Sequence, residues 1–490
     1  MRERGPIRAK VDRPGPGIGL VDLVAGGAVV LAGALIATEV TKTTNDTSAA
    51  LLLGGFVALG AVALIALIAP LWLFVAAFVM LAAVFVEPAP VDVLFIALMG
   101  LSFGSRRVSP RLPGAISAVL GLLIAVGLIS TMNAAEFARA VRFELITLYL
   151  IALAVWLTWM FRDARATRLA LHGYVIGATA TAGIAAVARF VPFPSSELFL
   201  YDEFRAQGLF EDPNVFAAFL VPAAAIALEE VARPRLLPWS RTVSGIVFAI
   251  LCTGTIVAFS RAGWLNLALA CTTILLATAF RRGGLRLAVR SAGAVVVTLI
   301  VGLVLLAATG SLAFLQERSQ LAAQSYDEER FSAQSSAVAA MTDHTFGHGP
   351  GQVEVGFEVA THSLYVRSAY EQGVGGVVLA TALLVATLAF AWGLLVRDAS
   401  VHGVGSAALF GSWLGVVASS FFIDTLHWRH LWMLAALIWV GAVGATGSSR
   451  GDRGQRRGAT EPQNPPSRPG IRRPIQTGRA VPARGTYLTR

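Results

Sequence analysis

Charge is what this 490-residue chain has least of. Asp, Glu, Lys and Arg make up 14% of it and hydrophobic residues 56%, whereas about a quarter of a soluble domain is charged. That balance excludes a soluble enzyme with a broad polar surface. Cysteine is nearly absent: Cys252 and Cys271 both fall inside apolar stretches, so no disulfide framework is implied. There is no Walker loop, no dinucleotide fingerprint and no Asp-x-Asp pair, which removes the common devices for holding nucleotides and nucleotide sugars. Nor does a lysine or carboxylate occupy the middle of an apolar block; Asp22, Glu87, Asp92, Glu144, Glu229, Glu230 and Asp424 lie near block ends. Ion-coupled transporters and pumps bury such groups at mid-membrane, so transport is disfavoured. A cleavable signal peptide is not expected, because the first apolar block leads into another one.

What the chain does have is apolar blocks, each near the ~20 residues that cross a bilayer. They run approximately over 18–37, 49–69, 71–86, 91–103, 114–131, 144–161, 167–190, 214–232, 241–259, 262–280, 288–309, 373–396, 402–423 and 428–446. Pro70 divides the second from the third, since proline removes a backbone donor. The fold class is therefore all-α: a polytopic helical membrane protein with about 12–14 transmembrane helices and one large extracytoplasmic loop.

The net charge of +10 resides in the termini. Residues 1–17 carry +3 and residues 450–490 carry +8, leaving −1 for everything between. Basic ends beside a bundle of spans act as topology determinants and attract anionic lipid headgroups, so membrane lipids are partners and nucleic acid is not. If the N-terminus is cytoplasmic, 29 of the 39 basic residues fall on the cytoplasmic side. The expected organisation follows: a basic cytoplasmic N-terminus (1–17), transmembrane helices over 18–309 with an outer loop at 191–213, and a large extracytoplasmic loop at 310–362. C-terminal transmembrane helices (363–446) and a disordered, basic cytoplasmic tail (447–490) complete it. N-in and C-in orientation in the cytoplasmic membrane places the working surface on the extracytoplasmic face.

Both large outer loops are acidic, and their few basic residues stand out. Arg205 precedes Gly-Leu-Phe-Glu-Asp212-Pro-Asn214, whose end reads as a helix start with a capping carboxylate and an N-terminal proline. Arg205 either neutralises Glu203 or Glu211, or offers its planar donor fork to an anionic ligand such as phosphate. Arg261, in Ser260-Arg261-Ala262-Gly263 between two spans, either snorkels to the headgroups or makes a fixed phosphate contact. His362 leads into a further helix after a glycine-rich stretch, Gly347-x-Gly349-x-Gly351; it is a capping residue or a general base. His344, His348 and His362 with Asp343 match no standard zinc spacing, so no metal is expected. His427-Trp428-Arg429-His430 reads as an interfacial anchor, with a ligand-facing role for Arg429 as the alternative. The segment from Glu329 to Met341 has helical character.

In this order, Arg205 to Asn214, Ser260 to Gly263, Gly347 to Gly351, and His362-Ser363-Leu364 with Glu371-x-Gly373 resemble the O-antigen ligase and polymerase superfamily of bacterial membrane glycosyltransferases. The motifs span residues 205–373. The resemblance implies a fold of the lipid-dependent glycosyltransferase type and a donor glycan linked to undecaprenyl diphosphate. It also implies a glycan, lipid or protein acceptor, and transfer without cofactor or metal. Carried over, His362 is the catalytic base, Arg205 and Arg261 bind the diphosphate, and Asp212, Asn214, Glu371 and Arg429 are possible support. Ser363 stands where the family usually has Asn, and Thr345 where proline is common. The expected function is a ligase or polymerase of cell-surface polysaccharide; the alternatives are a protein O-oligosaccharyltransferase or a polysaccharide flippase or exporter.

Overall fold

The computed structural model describes residues 70–85, 88–104, 109–191, 193–281, 284–308, 310–319, 325–341, 344–357 and 361–458. The expected basic N-terminus, the apolar blocks at 18–37 and 49–69, and the tail beyond 458 lie outside the described residues. Among those described, the chain is all helical, and its only extended pairing is three isolated bridges. Seven helices have the length and composition to cross a membrane, and five shorter apolar ones accompany them.

In chain order the helices are α1 (Pro70–Met80), α2 (Pro90–Gly104), α3 (Gly114–Thr131), α4 (Phe137–Met160) and α5 (Ala164–Phe190). They continue as α6 (Pro213–Ala232), α7 (Arg241–Val257), α8 (Arg261–Ala279) and α9 (Leu285–Ala308), and the large loop holds α10 (Leu312–Ser319), α11 (Ser325–Ala340) and the single turn α12 (Val353–Gly356). The last three are α13 (Leu364–Val396), α14 (Ser406–Ser419) and α15 (Arg429–Gly458). The chain divides into two units, 1–445 and 446–490. Helical structure in α15 continues to Gly458, past the point at which the basic tail was expected to lose order.

Helix starts follow local chemistry. Asp163, Asp212, Ser240, Ser260 and Ser363 cap α5, α6, α7, α8 and α13 by accepting a backbone N–H that the first turn leaves unpaired. Helix α6 is apolar all round and almost wholly buried, which makes it the central helix. Small residues allow close crossings around it, as expected where no hydrophobic drive exists between helices in lipid: a Cβ on Gly254 would meet Ala182 and Leu220 at 2.8 Å, and one on Gly263 would meet Ala217 at 2.6 Å.

Long-range hydrogen bonds sort the connections into two ends of the helical body. At one end Arg168 Nε donates to the His402 carbonyl (3.1 Å), the His172 ring contacts the Leu236 carbonyl (2.8 Å), and Arg233 and Arg281 pair with Asp398. This is the arginine-rich end. At the other, the segments 131–137, 199–213, 257–261, 344–357, 361–364 and 419–429 gather.

Two carboxylates lie deeper than their block positions suggest. Helix α4 begins at Phe137, not near 144, so Glu144 is about two turns inside it, 3% exposed, with no hydrogen-bond partner for its carboxylate. Asp92 is 5% exposed and accepts two bonds of 2.6 Å from Arg429, one of 2.8 Å from the Tyr149 hydroxyl and one of 2.8 Å from the Ala89 N–H. Arg429 therefore ties α15 to α2 and α4 through a buried bidentate ion pair. Removing one member leaves an uncompensated charge, costing about 3–5 kcal/mol. Arg429→Met should lower thermal stability in detergent by that order, and Asp92→Leu/Arg429→Met should recover most of it; equal stability of the single variant and the parent would exclude the pair as a structural tie.

Candidate functional site

Segment 199–212 is a compact turn held by its own backbone. Tyr201 N–H bonds the Arg205 carbonyl (2.8 Å), Gln207 and Gly208 N–H both reach the Phe199 carbonyl (3.0 and 3.1 Å), and the Asp202 carboxylate accepts from Phe204 and Arg205 N–H. The turn docks by three further bonds: Ala206 N–H to the Val257 carbonyl (2.9 Å), Val84 N–H to the Leu209 carbonyl (2.7 Å) and Glu211 N–H to the Val84 carbonyl (3.2 Å). Arg205 leaves this frame with its guanidinium fastened at three points. Nε donates to the Ala258 carbonyl (3.3 Å), Nη2 to Asn214 Oδ1 (3.2 Å), and the plane lies 5.5 Å from the centre of the Tyr201 ring. The Asn214 amide in turn donates to Asp212 Oδ1 (3.0 Å), the same oxygen that caps α6.

Arg189, which the sequence did not single out, supports the turn from the last turn of α5. Its Nε donates to the Phe204 carbonyl (3.1 Å), its guanidinium covers the Phe204 ring, and Nη2 bonds the Ser311 hydroxyl. Nothing local marks Arg189, because all its partners are distant in sequence.

Arg261 is the first residue of α8. The chain reaches it through Phe259 at φ 48°, a left-handed residue that turns α7 into α8 with almost no loop, and Ser260 then caps the new helix. Arg205 binds the Ala258 carbonyl and Ala206 binds the Val257 carbonyl, so the segments carrying the two arginines meet at one junction.

His362 is placed at the same end by helix register. Helix α14 runs antiparallel to α8: Gly411 lies against Ala270 and Gly415 against Asn266. Continued by one turn, that register sets Ser419 beside Ala262. The next carbonyl, Ser420, accepts the Leu364 N–H (3.0 Å), two residues after His362. His362 itself sits at φ 45°, between Thr361, whose carbonyl accepts from Gln334 of α11 (2.6 Å), and Ser363, the cap of α13. The N-termini of α6, α8 and α13 thus open on one end of the body, and each contributes the partial positive charge of a helix start.

The glycine motif explains Glu371-x-Gly373. Helix α13 starts at Leu364 but breaks at Gly373 (φ 67°, ψ −164°), which releases the carbonyls of Tyr370 and Glu371 from the helical ladder. His348 N–H takes the first (3.0 Å), and Gly349 N–H (2.9 Å) and the Ser130 hydroxyl take the second. The loop can approach only because Gly347, Gly349 and Gly351 all have positive φ and no side chain; a Cβ at Gly349 would lie 2.6 Å from Ala134. Asn133 donates to the Gly347 carbonyl (3.3 Å), and Gln352 exchanges bonds with the Glu136 backbone, so the loop is pinned to α3 and α4 as well.

Beneath it lies a cluster that sequence reading missed. Arg367 pairs with Glu354 (2.9 Å), Glu371 (3.1 Å) and Asp424 (3.3 Å), and stacks on Phe143. Asp424 also accepts from His427 Nδ1 (3.0 Å). Burial pushes Asp424 up, but His427 and Arg367 outweigh it and hold the carboxyl well below the usual range, so it is ionised. Of the two loop histidines, His348 stacks on Tyr370 (4.2 Å, 6°) and His344 meets it edge-on at 4.6 Å; Asp343 lies outside the described residues. Arg205, Asn214, Asp212 and Arg261 are brought together, His362 shares their end, Glu371 holds the loop, and Arg429 is committed to Asp92.

Residues 246–381 match the family model described as O-Antigen ligase. The match covers Arg261, the glycine motif, His362 and Glu371, ends short of Arg429 and begins after Arg205 and Asp212. It supports the O-antigen ligase/polymerase superfamily to which the four motifs point. No curated protein gives a significant match to the chain.

The docking of the loop can be tested directly. Gly349→Ala meets both a left-handed backbone, costing about 1–2 kcal/mol, and Ala134; it should loosen the loop and raise amide exchange at 345–352. Gly310→Ala shares the positive φ (69°) but has open space around it, and should leave exchange at 345–352 unchanged. Equal behaviour of the two variants would show that the contact with Ala134 does not hold the loop.

Proposed function

We propose that this chain is a membrane glycosyltransferase that takes a glycan linked to undecaprenyl diphosphate and passes it to an acceptor hydroxyl, as a ligase or polymerase of cell-surface polysaccharide. The observation that carries this reading is the gathering of Arg205, Arg261 and His362 at one end of the body, where three helices begin. The arginine-rich opposite end supports an extracytoplasmic assignment of the gathering end under the positive-inside bias.

The chemistry follows from those three side chains. The acceptor oxygen forms a bond to the anomeric carbon of the donor sugar while the bond from that carbon to the phosphate oxygen breaks. The leaving diphosphate keeps the bonding electron pair. Arg205 and Arg261, with the helix starts behind them, offset the charge that builds on it. His362 accepts the acceptor's proton, and its left-handed backbone between two anchored neighbours gives it a fixed position. The bonds from Asn214 and the Ala258 carbonyl to Arg205 restrict the guanidinium to one face, so less ordering remains when phosphate binds. A protein O-oligosaccharyltransferase would use the same donor half and differ only in acceptor. Glu144, buried inside α4 with no hydrogen-bond partner for its carboxylate, is a feature that favours a flippase or exporter.

Transfer assays with a lipid-linked repeat unit separate the roles. His362→Ala should lose ~10²–10⁴-fold in rate, as for removal of a general base, while donor binding persists. Arg205→Ala and Arg261→Ala should raise the donor KM, and Lys at either place should rescue in part because it lacks the planar fork. Activity should survive EDTA. Full transfer by His362→Ala, or zinc-restorable loss on chelation, would overturn the assignment. In the parent protein, chain lengthening would indicate a polymerase and movement to a second acceptor a ligase.

A further inference from the structure

A cavity of about 190 Å³ opens between the segment 210–215 and residues 427–430, bounded also by Leu81, Val84 and Phe219. It falls below the roughly 300–1,000 Å³ of drug-sized sites, which leaves room for one small ring. Glu211 and Asp212 stand at its wall. Two carboxylates there disfavour a phosphate and favour a ligand rich in hydroxyl donors.

His427 adds an oriented polar ring, held by the contact of its Nδ1 with the Asp424 carboxylate (3.0 Å). His430, 3% exposed, also lines the cavity, with no hydrogen-bond partner for Nε2; it stacks on Trp428 (5.2 Å, 20°) and meets Phe219 edge-on (5.5 Å). Arg429, on the same wall, is held by Asp92. The cavity is joined to the arginine site by a hydrogen-bond chain: Asp212 lines it, Asn214 binds Asp212, and Arg205 binds Asn214. A phosphate at Arg205 would therefore have a sugar-sized space beside it.

We propose that this cavity is a sugar subsite, in which Glu211, Asp212 and His427 take the hydroxyl groups of a single ring. The inference rests on the transferase reading above for the origin of the ring, which is either the donor's first sugar or the acceptor's terminal one.

The test uses the full chain in lipid nanodiscs. The probe is the reducing oligosaccharide released by mild acid from the source cell's lipid-linked glycans, followed by saturation-transfer NMR. The parent protein and His362→Ala should bind it alike. Val215→Trp, which fills the cavity, should abolish the signal, and His427→Gln should weaken binding at least tenfold. The second variant decides the matter if the first does not fold. Transfer assays then assign the ring: a raised donor KM in His427→Gln makes it the donor's, a raised acceptor KM the acceptor's. No binding by the parent protein, or parent-like binding and KM values in His427→Gln, would overturn the subsite. Binding through the cavity without any transfer from a lipid-linked donor would leave the subsite standing and remove the transferase reading.

Discussion

Backbone N–H and C=O groups within a membrane body have no water to satisfy them, so any irregular segment there must be bonded inside the protein. That constraint organises the loop-bearing end of this chain. The turn 199–212 is fed into the body by bonds to Val84 and Val257, and the glycine loop by bonds to the two carbonyls that α13 releases at Gly373. Neither segment is a free loop with functional side chains attached. Each is a piece of backbone whose hydrogen bonds are completed by a helix elsewhere, and the helix break and the loop that fills it require each other.

Electrostatics then act on positions the backbone has already set. Asp92 with Arg429, and Arg367 with Glu354, Glu371 and Asp424, are charges held by several partners at once. Such groups fasten helices, and their geometry leaves little freedom for ligand chemistry. At Arg205 a carbonyl, an amide oxygen and an aromatic ring are among the contacts that orient the guanidinium. A donor group held in a fixed orientation needs little reorganisation when negative charge develops beside it.

Much of this was legible in the chain itself, where the signal is local. The all-helical class, the positions of most described helices and the Asp212 cap rest on patterns a few residues long. Hydropathy misplaced the starts of α4 and α13, because Arg139, Arg142, Glu144, Arg367 and Glu371 interrupt the apolar run although the helix continues through them. Arg139, Arg367 and Glu371 are met by charged partners that hydropathy cannot see. Arg429 looked like an interfacial anchor for the same reason: its partner, Asp92, is 337 residues away. The cluster around Arg367 was illegible because three of its members come from α12, α13 and the segment before α15.

The remaining step concerns how the pieces share one mechanical unit. Arg189 links the Arg205 turn to Ser311 at the entry of the large loop, and Gln334 of α11 links the same loop to Thr361, beside His362. Arg189 thus connects the loop's entry to Phe204, the residue before Arg205, and Gln334 holds Thr361, the residue before His362. A change in the loop's packing would reach both at once, while Asp212 and Asn214, fixed by the start of α6, would stay in place. The residues proposed to act on the donor and acceptor are thus carried partly by the start of the buried central helix, at Asp212 and Asn214, and partly by segments bonded to the large loop.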